Sequence, residues 1–175
     1  MEESILDKAK KIKLLLLDVD GVLTDGRIIY DSQGKDLKFF DVYDGLGVYL
    51  LKKANIPTVL VTARGSRTLK WRAKDMQAEA TFENVSPKTS ILNKLLKRFK
   101  VSLEEVCFVG DDLVDLGLMQ KVGLAIAVFN ACPEIKQVAD YITFREGGRG
   151  AVREIAEMIL KAQNKWEGLV KEYQV

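Results

Sequence analysis

The stretch "LLLLDVDGVLTDG", residues 14–26, drives four leucines toward a core and then sets Asp18 and Asp20 at the end of the run. Carboxylates so close to buried apolar sequence are costly unless something pairs with them. They either cap a structure or hold a cation. The apolar run, Ile12–Leu17, has strand length, and four others match it: Thr58–Val61, Val106–Val109, Leu124–Val128 and Tyr141–Phe144. Each is continuously apolar rather than alternating, as strands buried on both faces are. Amphipathic stretches of helical length lie between them, starting near Asp44, near Ser66 and at Ser86. In the third, Ser86 is the expected N-cap and Pro87 the first helical residue, while Ser102 and Glu105 frame a capping box. Strands alternating with helices predict an α/β fold with a doubly wound, mainly parallel sheet. Ligands of such sheets bind at the carboxyl ends of the strands. The residues ending the runs, Asp18, Thr62, Asp111 and Asn130, are therefore the first candidates for a site.

Residues 26–41 depart from the alternation. Two extended runs around Ser32-Gln33-Gly34-Lys35 predict a β-hairpin that projects Ile28, Ile29, Phe39 and Phe40. A projecting apolar hairpin is expected to meet a partner subunit.

Composition removes several classes of function. The 175 residues suit one domain, 1–175, whose last stretch, 164–175, reads as a mobile tail. A formal net charge of +2 with scattered basic residues gives no nucleic-acid footprint. No apolar stretch approaches a membrane span, and the N-terminus lacks the order of a signal peptide, so the expected compartment is the cytoplasm. The sequence contains no histidine, which removes Ser-His-Asp and Cys-His catalysis and His-ligated zinc. Cys107 and Cys132 lack CxxC spacing, and Cys107, inside "VCFVG", reads as a buried free thiol.

Carboxylates, lysine or a hard metal must then carry any hydrolytic chemistry. Side chains alternate along a strand, so Asp18 and Asp20 share a side. Downstream, "GDDLVD" supplies Asp111, Asp112 and, one helical turn on, Asp115. If both motifs edge adjacent strands, their carboxylates converge and require a counter-charge. Oxygen donors without imidazole or thiolate point to a hard cation, Mg²⁺ most simply, and such sites accept a substrate phosphate. Taken singly, Asp18 reads better as a cap, and Lys88, Arg64 and Arg72 as surface residues. The set, each on its own element, points to phosphoryl transfer.

In chain order, "DVDGVLT", "VTARGS", "SPK" and "VGDDLVDL" resemble the haloacid dehalogenase-type phosphatases. With the hairpin, "DGLG" and "GGRGAVRE", the resemblance runs nearly end to end to the members that act on phosphorylated sugar acids. It implies the family's Rossmann-like fold and a homotetramer. The tight spacings from Asp20 to Thr62 and from Thr62 to Lys88 leave no room for a cap domain. It further implies that Asp18 is the nucleophile, forming an aspartyl phosphate, and Asp20 the acid and base. Thr62 and Lys88 would steady the phosphoryl oxygens. Mg²⁺ would sit on Asp18, the Asp20 carbonyl and Asp111, with Asp112 and Asp115 orienting their neighbours. Asp20, Asp41, Arg64, Arg72, Lys88 and, from the "GGRG" turn, Arg149 would meet the sugar acid. The implied substrate is 3-deoxy-D-manno-octulosonate 8-phosphate, in lipopolysaccharide biosynthesis. The alternatives are a nine-carbon sialic-type sugar acid 9-phosphate, or a non-catalytic tetramerisation module related to nucleotide-sugar synthetases. Two positions depart from the family pattern: Ala63 stands where glycine is usual and Tyr43 where arginine is frequent.

Overall fold

The computed structural model describes residues 4–174. Its centre is β1 (Leu14–Leu17), whose four leucines are fully buried. β1 pairs in parallel with β4 (Thr58–Val61) on one side and β6 (Val106–Gly110) on the other. Outside them lie β5 (Ala80–Phe82), then β7 (Leu124–Ala127) and β8 (Tyr141–Ile142). The resulting six-stranded parallel sheet has the order β5-β4-β1-β6-β7-β8. A chain that winds outward from β1 in both directions opens a crevice at its carboxyl edge, where the strand order reverses.

Register decides which side chains meet there. Leu17 aligns with Leu60 of β4 and with Val109 of β6. One step beyond each strand, Asp18 therefore lies between the Thr62 and Asp111 ends, and its N–H donates to Val109 O at 3.0 Å. Four of the strands are buried at every position, which accounts for their unbroken apolar sequence.

Helices flank the sheet: α1 (Ile5–Lys11), α2 (Val42–Lys53), α3 (Arg67–Asp75), α4 (Leu92–Phe99), α5 (Leu116–Met119), α6 (Pro133–Val138), α7 (Ala151–Ala162) and α8 (Trp166–Lys171). α3 starts at the expected Ser66, whose side chain accepts from Leu69 N–H. The Ser102–Glu105 capping box is present on a single 3-10 turn.

Five details differ from the sequence reading. The run Tyr141–Phe144 gives only the two-residue edge strand β8, with Ile142 and Phe144 exposed, because an edge strand is not covered on both faces. β5 was not expected, because "ATF" is a short edge strand with every residue half-buried and no apolar run to announce it. α2 begins two residues earlier than Asp44, capped by Asp41, whose carboxylate accepts from Tyr43 N–H at 2.7 Å. Asp44 is turned inward instead, 1% exposed, and accepts from the backbone N–H groups of Gly150 and Arg153. It thereby caps α7, which has no side-chain cap of its own. The helix expected from Ser86 opens as a 3-10 turn, Lys88–Ile91, with no side-chain cap, and becomes α-helical only at Leu92. Finally, within the expected tail, α8 packs Leu169 into the core, and Glu172 pairs with Lys53 of α2.

The hairpin pairs β2 (Ile29–Tyr30) with β3 (Asp36–Leu37). Asp31 closes its turn by accepting from Gln33 and Lys35 N–H at 2.8 and 2.9 Å. Ile28, Tyr30, Leu37 and Phe39 are all largely exposed. Cys107 is buried and free, and burial pushes its thiol far above the ordinary range, so it is inert. Among the described residues, no helix is long and apolar enough to cross a membrane.

Candidate active site

Residues after β1 fold back at once. Leu23 and Thr24 N–H donate to Val19 O, and the buried Thr24 hydroxyl accepts from Gly21 and Gly26 N–H, each at 3.3 Å. Gly21 carries a positive φ of 96°, and a Cβ there would sit 2.0 Å from Asp111 Oδ2. Glycine is thus required twice, for the turn and for the close approach of the two acidic loops. The "GGRG" segment clamps this loop from outside. Gly148 N–H donates to Val22 O at 2.9 Å, and a Cβ on Gly147 would lie 1.7 Å from Gly21 O. Asn130, which ends the β7 segment, accepts from Gly147 N–H at 2.8 Å and fixes the clamp.

Carboxylates converge as the register requires. Ligand oxygens of Asp18, Asp111 and Asp115 lie within 4.8 Å of one another. Lys88, 2% exposed, reaches into the group and meets Asp18 Oδ1 at 2.6 Å and Asp115 Oδ1 at 2.5 Å. Asp115 Oδ2 accepts from Asp111 N–H at 2.9 Å, so one buried carboxylate holds both the lysine and the loop after β6. Asp112 caps that loop through Leu113 N–H and is exposed. Thr62, also buried, accepts from Arg64 N–H at 3.1 Å, which leaves its hydroxyl hydrogen free to donate.

One ammonium among three carboxylates leaves excess negative charge. Burial, followed by the charge of Asp115, pushes Asp18 well above the usual carboxylate range. Burial, followed by the charge of Asp18, does the same to Asp111. Burial opposes the charge on Lys88, but Asp18 and Asp115 outweigh it and hold the ammonium above the ordinary lysine range. In addition, Asp111 Oδ1 is buried without a hydrogen-bond partner. An unpartnered oxygen in an all-oxygen, over-charged cluster fits a hard divalent cation. Asp18, Asp20, Thr62, Arg64, Lys88, Asp111 and Asp112 all line one cleft of about 290 Å³.

Residues 66–155 match the model of the haloacid dehalogenase-like hydrolase family. The 3-deoxy-D-manno-octulosonate 8-phosphate phosphatase KdsC of Salmonella typhi is 40% identical over 161 residues, 92% of this chain and 86% of that one. This chain belongs to the haloacid dehalogenase-like hydrolases. The Yersinia pestis enzyme of the same name is 39% identical over 95% of this chain and 89% of its own length. The crystal structure of 3-deoxy-D-manno-octulosonate 8-phosphate phosphatase from Moraxella catarrhalis, in complex with magnesium, phosphate and KDO, superposes with a TM-score of 0.94. It is 41% identical and covers 97% of each chain. The haloacid dehalogenase-like fold agrees with the sequence reading, and among the described residues no cap domain interrupts it.

Not every residue expected at this hydrolase's site reaches the cleft within one chain. Asp41 caps α2, and Arg72 donates to Asp41 O at 2.6 Å and pairs with Asp75 at 2.8 Å. Arg149 is exposed on the clamp. Ala63 lines the cleft from an exposed position, whereas Tyr43 is exposed at the start of α2. One residue in contact with a motif aspartate escaped the sequence reading altogether: Lys38, whose ammonium pairs with Asp20 Oδ1. No spacing rule links a lysine on a hairpin to an aspartate 18 residues earlier.

Proposed function

We propose that this chain is a Mg²⁺-dependent phosphatase hydrolysing 3-deoxy-D-manno-octulosonate 8-phosphate to the free sugar acid and phosphate, in lipopolysaccharide biosynthesis. The observation that carries the reading is the buried Asp18–Lys88–Asp115 constellation beside Asp111, in a chain 40% identical to a phosphatase of that name.

In this reading Lys88 occupies one oxygen of Asp18 and leaves the other to attack phosphorus. The bond to the sugar oxygen breaks, and Asp20 delivers a proton to the departing alkoxide. Asp20, now a carboxylate, removes a proton from water, which attacks the aspartyl phosphate and releases inorganic phosphate. Lys88 and Thr62 donate to phosphoryl oxygens, from positions already fixed before reaction. Asp18, Asp111 and the Asp20 carbonyl would hold Mg²⁺, which when bound offsets negative charge on the phosphoryl group. Arg64, on the cleft rim, would take a sugar-acid oxygen pair in its fork. Asp41, Arg72 and Arg149 would meet substrate only across a subunit boundary.

The uncapped cleft and the exposed Ile28, Phe39, Val42 and Tyr43 support a homotetramer in which neighbours cover the site. Residues 1–175 would act as one unit in the cytoplasm. Phosphate release from eight- and nine-carbon sugar-acid phosphates, with Mg²⁺ or chelator, for wild type and Asp18→Asn, tests this function. Turnover of the eight-carbon substrate, lost in the variant and in chelator, is expected. Preference for the nine-carbon substrate would move the specificity, and no turnover of any phosphate would leave an assembly module.

A further inference from the structure

Two lysines are buried at this site, and each holds one of the two aspartates that follow β1. Lys88 grips Asp18, and Lys38 grips Asp20. The Lys38 side chain is only 8% exposed, and its ammonium meets a single Asp20 oxygen. Withdrawing an ammonium from water costs several kcal/mol unless a partner restores the interaction. Asp20 is that partner, and the hairpin has ties other than Lys38. Arg64 Nη2 donates to the Tyr30 hydroxyl at 3.1 Å, and the Thr68 hydroxyl to Asp36 O at 3.5 Å, so the hairpin is already tied to the α3 region. Lys38 follows β3 directly and thus reaches Asp20 from an anchored arm.

We infer that Lys38 is a positioning residue for proton delivery: it fixes one oxygen of Asp20 so that the other faces the sugar oxygen leaving phosphorus. The inference rests on the acid–base role given to Asp20 above. When the P–O bond breaks, the proton moves from Asp20 to the sugar oxygen, and the carboxylate left behind is born against an ammonium already in place. The Asp20 side chain is 22% exposed and without this contact is free to rotate on its loop. The benefit is greatest for a poor leaving group, which cannot depart without the proton. An activated aryl leaving group departs almost as well unaided.

The test is steady-state kinetics of the full-length Mg²⁺-loaded enzyme as wild type, Lys38→Met, Lys38→Arg, Asp20→Asn and the Asp20→Asn/Lys38→Met double variant. Substrates are 3-deoxy-D-manno-octulosonate 8-phosphate, phenyl phosphate and 4-nitrophenyl phosphate. For Lys38→Met, kcat on the sugar phosphate should fall roughly 10- to 100-fold, with about threefold or less on 4-nitrophenyl phosphate and KM little changed. Lys38→Arg should recover most of the loss. In the Asp20→Asn background, removal of Lys38 should cost almost nothing further, since a residue that acts through another is non-additive with it. Equal losses on all three substrates, or multiplicative losses in the double variant, would reduce Lys38 to a structural pin and overturn the inference. A rise in KM alone would place Lys38 on the substrate and overturn it too. If Lys38→Met does not fold by circular dichroism, the leaving-group comparison passes to Lys38→Gln, which keeps much of the length without the charge. Failure of the sugar substrate alone would remove the proposed specificity, while the phenyl and 4-nitrophenyl pair still decides the role of Lys38. Inactivity of wild type on all three would overturn both readings.

Discussion

Lys88 and Asp115 form an ion pair at 2.5 Å in which the side chains are 2% and 0% exposed. Asp115 also accepts from Asp111 N–H, so the pair couples the lysine to the turn that presents Asp111. Lys88 keeps Asp18 when Asp115 is removed, but the Asp111 N–H loses its acceptor, which typically costs about 1–3 kcal/mol. Asp115→Ala should lose stability on that scale in urea unfolding and lose kcat with it. Asp115→Asn, which keeps an acceptor, should fold better yet still lose on the order of 10-fold or more in kcat. Wild-type kcat in Asp115→Asn would show that Lys88 needs no such support.

Gly147 stands where the clamp touches the β1 loop. Its Cβ would meet a backbone oxygen, Gly21 O, at 1.7 Å, so backbone must move to admit it. Gly147→Ala should lower kcat strongly, because the shift passes directly into the loop carrying Asp18 and Asp20. Gly168 of α8 has open space around the same atom, and Gly168→Ala should leave kcat unchanged while raising stability by roughly 0.5–1 kcal/mol. Assay and thermal melts of the two variants side by side separate a local clash from a general glycine effect.

The Asp18–Asp111–Asp115 cluster predicts a thermal response to cation. Mg²⁺ at about 100 times its dissociation constant should stabilise the wild type by roughly 3 kcal/mol through linkage alone. Asp111→Asn removes one like charge from the cluster. It should melt higher than wild type in chelator and gain little from Mg²⁺. A full Mg²⁺ response in Asp111→Asn would place the cation elsewhere.

Asp44 gives the fold a dependence on pH that can be isolated from the site. Burial, opposed by the Arg153 N–H, pushes its carboxyl up to about 6 from the ordinary 3.8. Between those values the native protein keeps a proton that the unfolded chain has released. The Asp44 contribution to stability is therefore complete below about pH 4 and is lost as pH rises through about 6. Asparagine does not ionise, so Asp44→Asn should gain on wild type by up to about 3 kcal/mol between pH 4 and pH 7. Urea unfolding of both proteins at the two pH values measures this directly. A constant difference between them would mean that burial does not govern the Asp44 carboxyl.

The sequence by itself determined the core and the chemistry. Four leucines before Asp18, and three further runs buried at every position, sufficed for a parallel sheet, because a strand covered on both faces has no polar position to spare. The absence of histidine, with aspartates at the ends of two such runs, was enough for an all-oxygen cation site. Only the tertiary structure decided the partners of the polar side chains. Asp44 caps a helix 106 residues away, Lys38 finds Asp20 from the hairpin, and Arg72 is spent on Asp41 O within the chain. Apolar burial leaves a local, unbroken trace along the chain. A buried charge leaves none, since its partner is fixed by where the strands and loops come to rest.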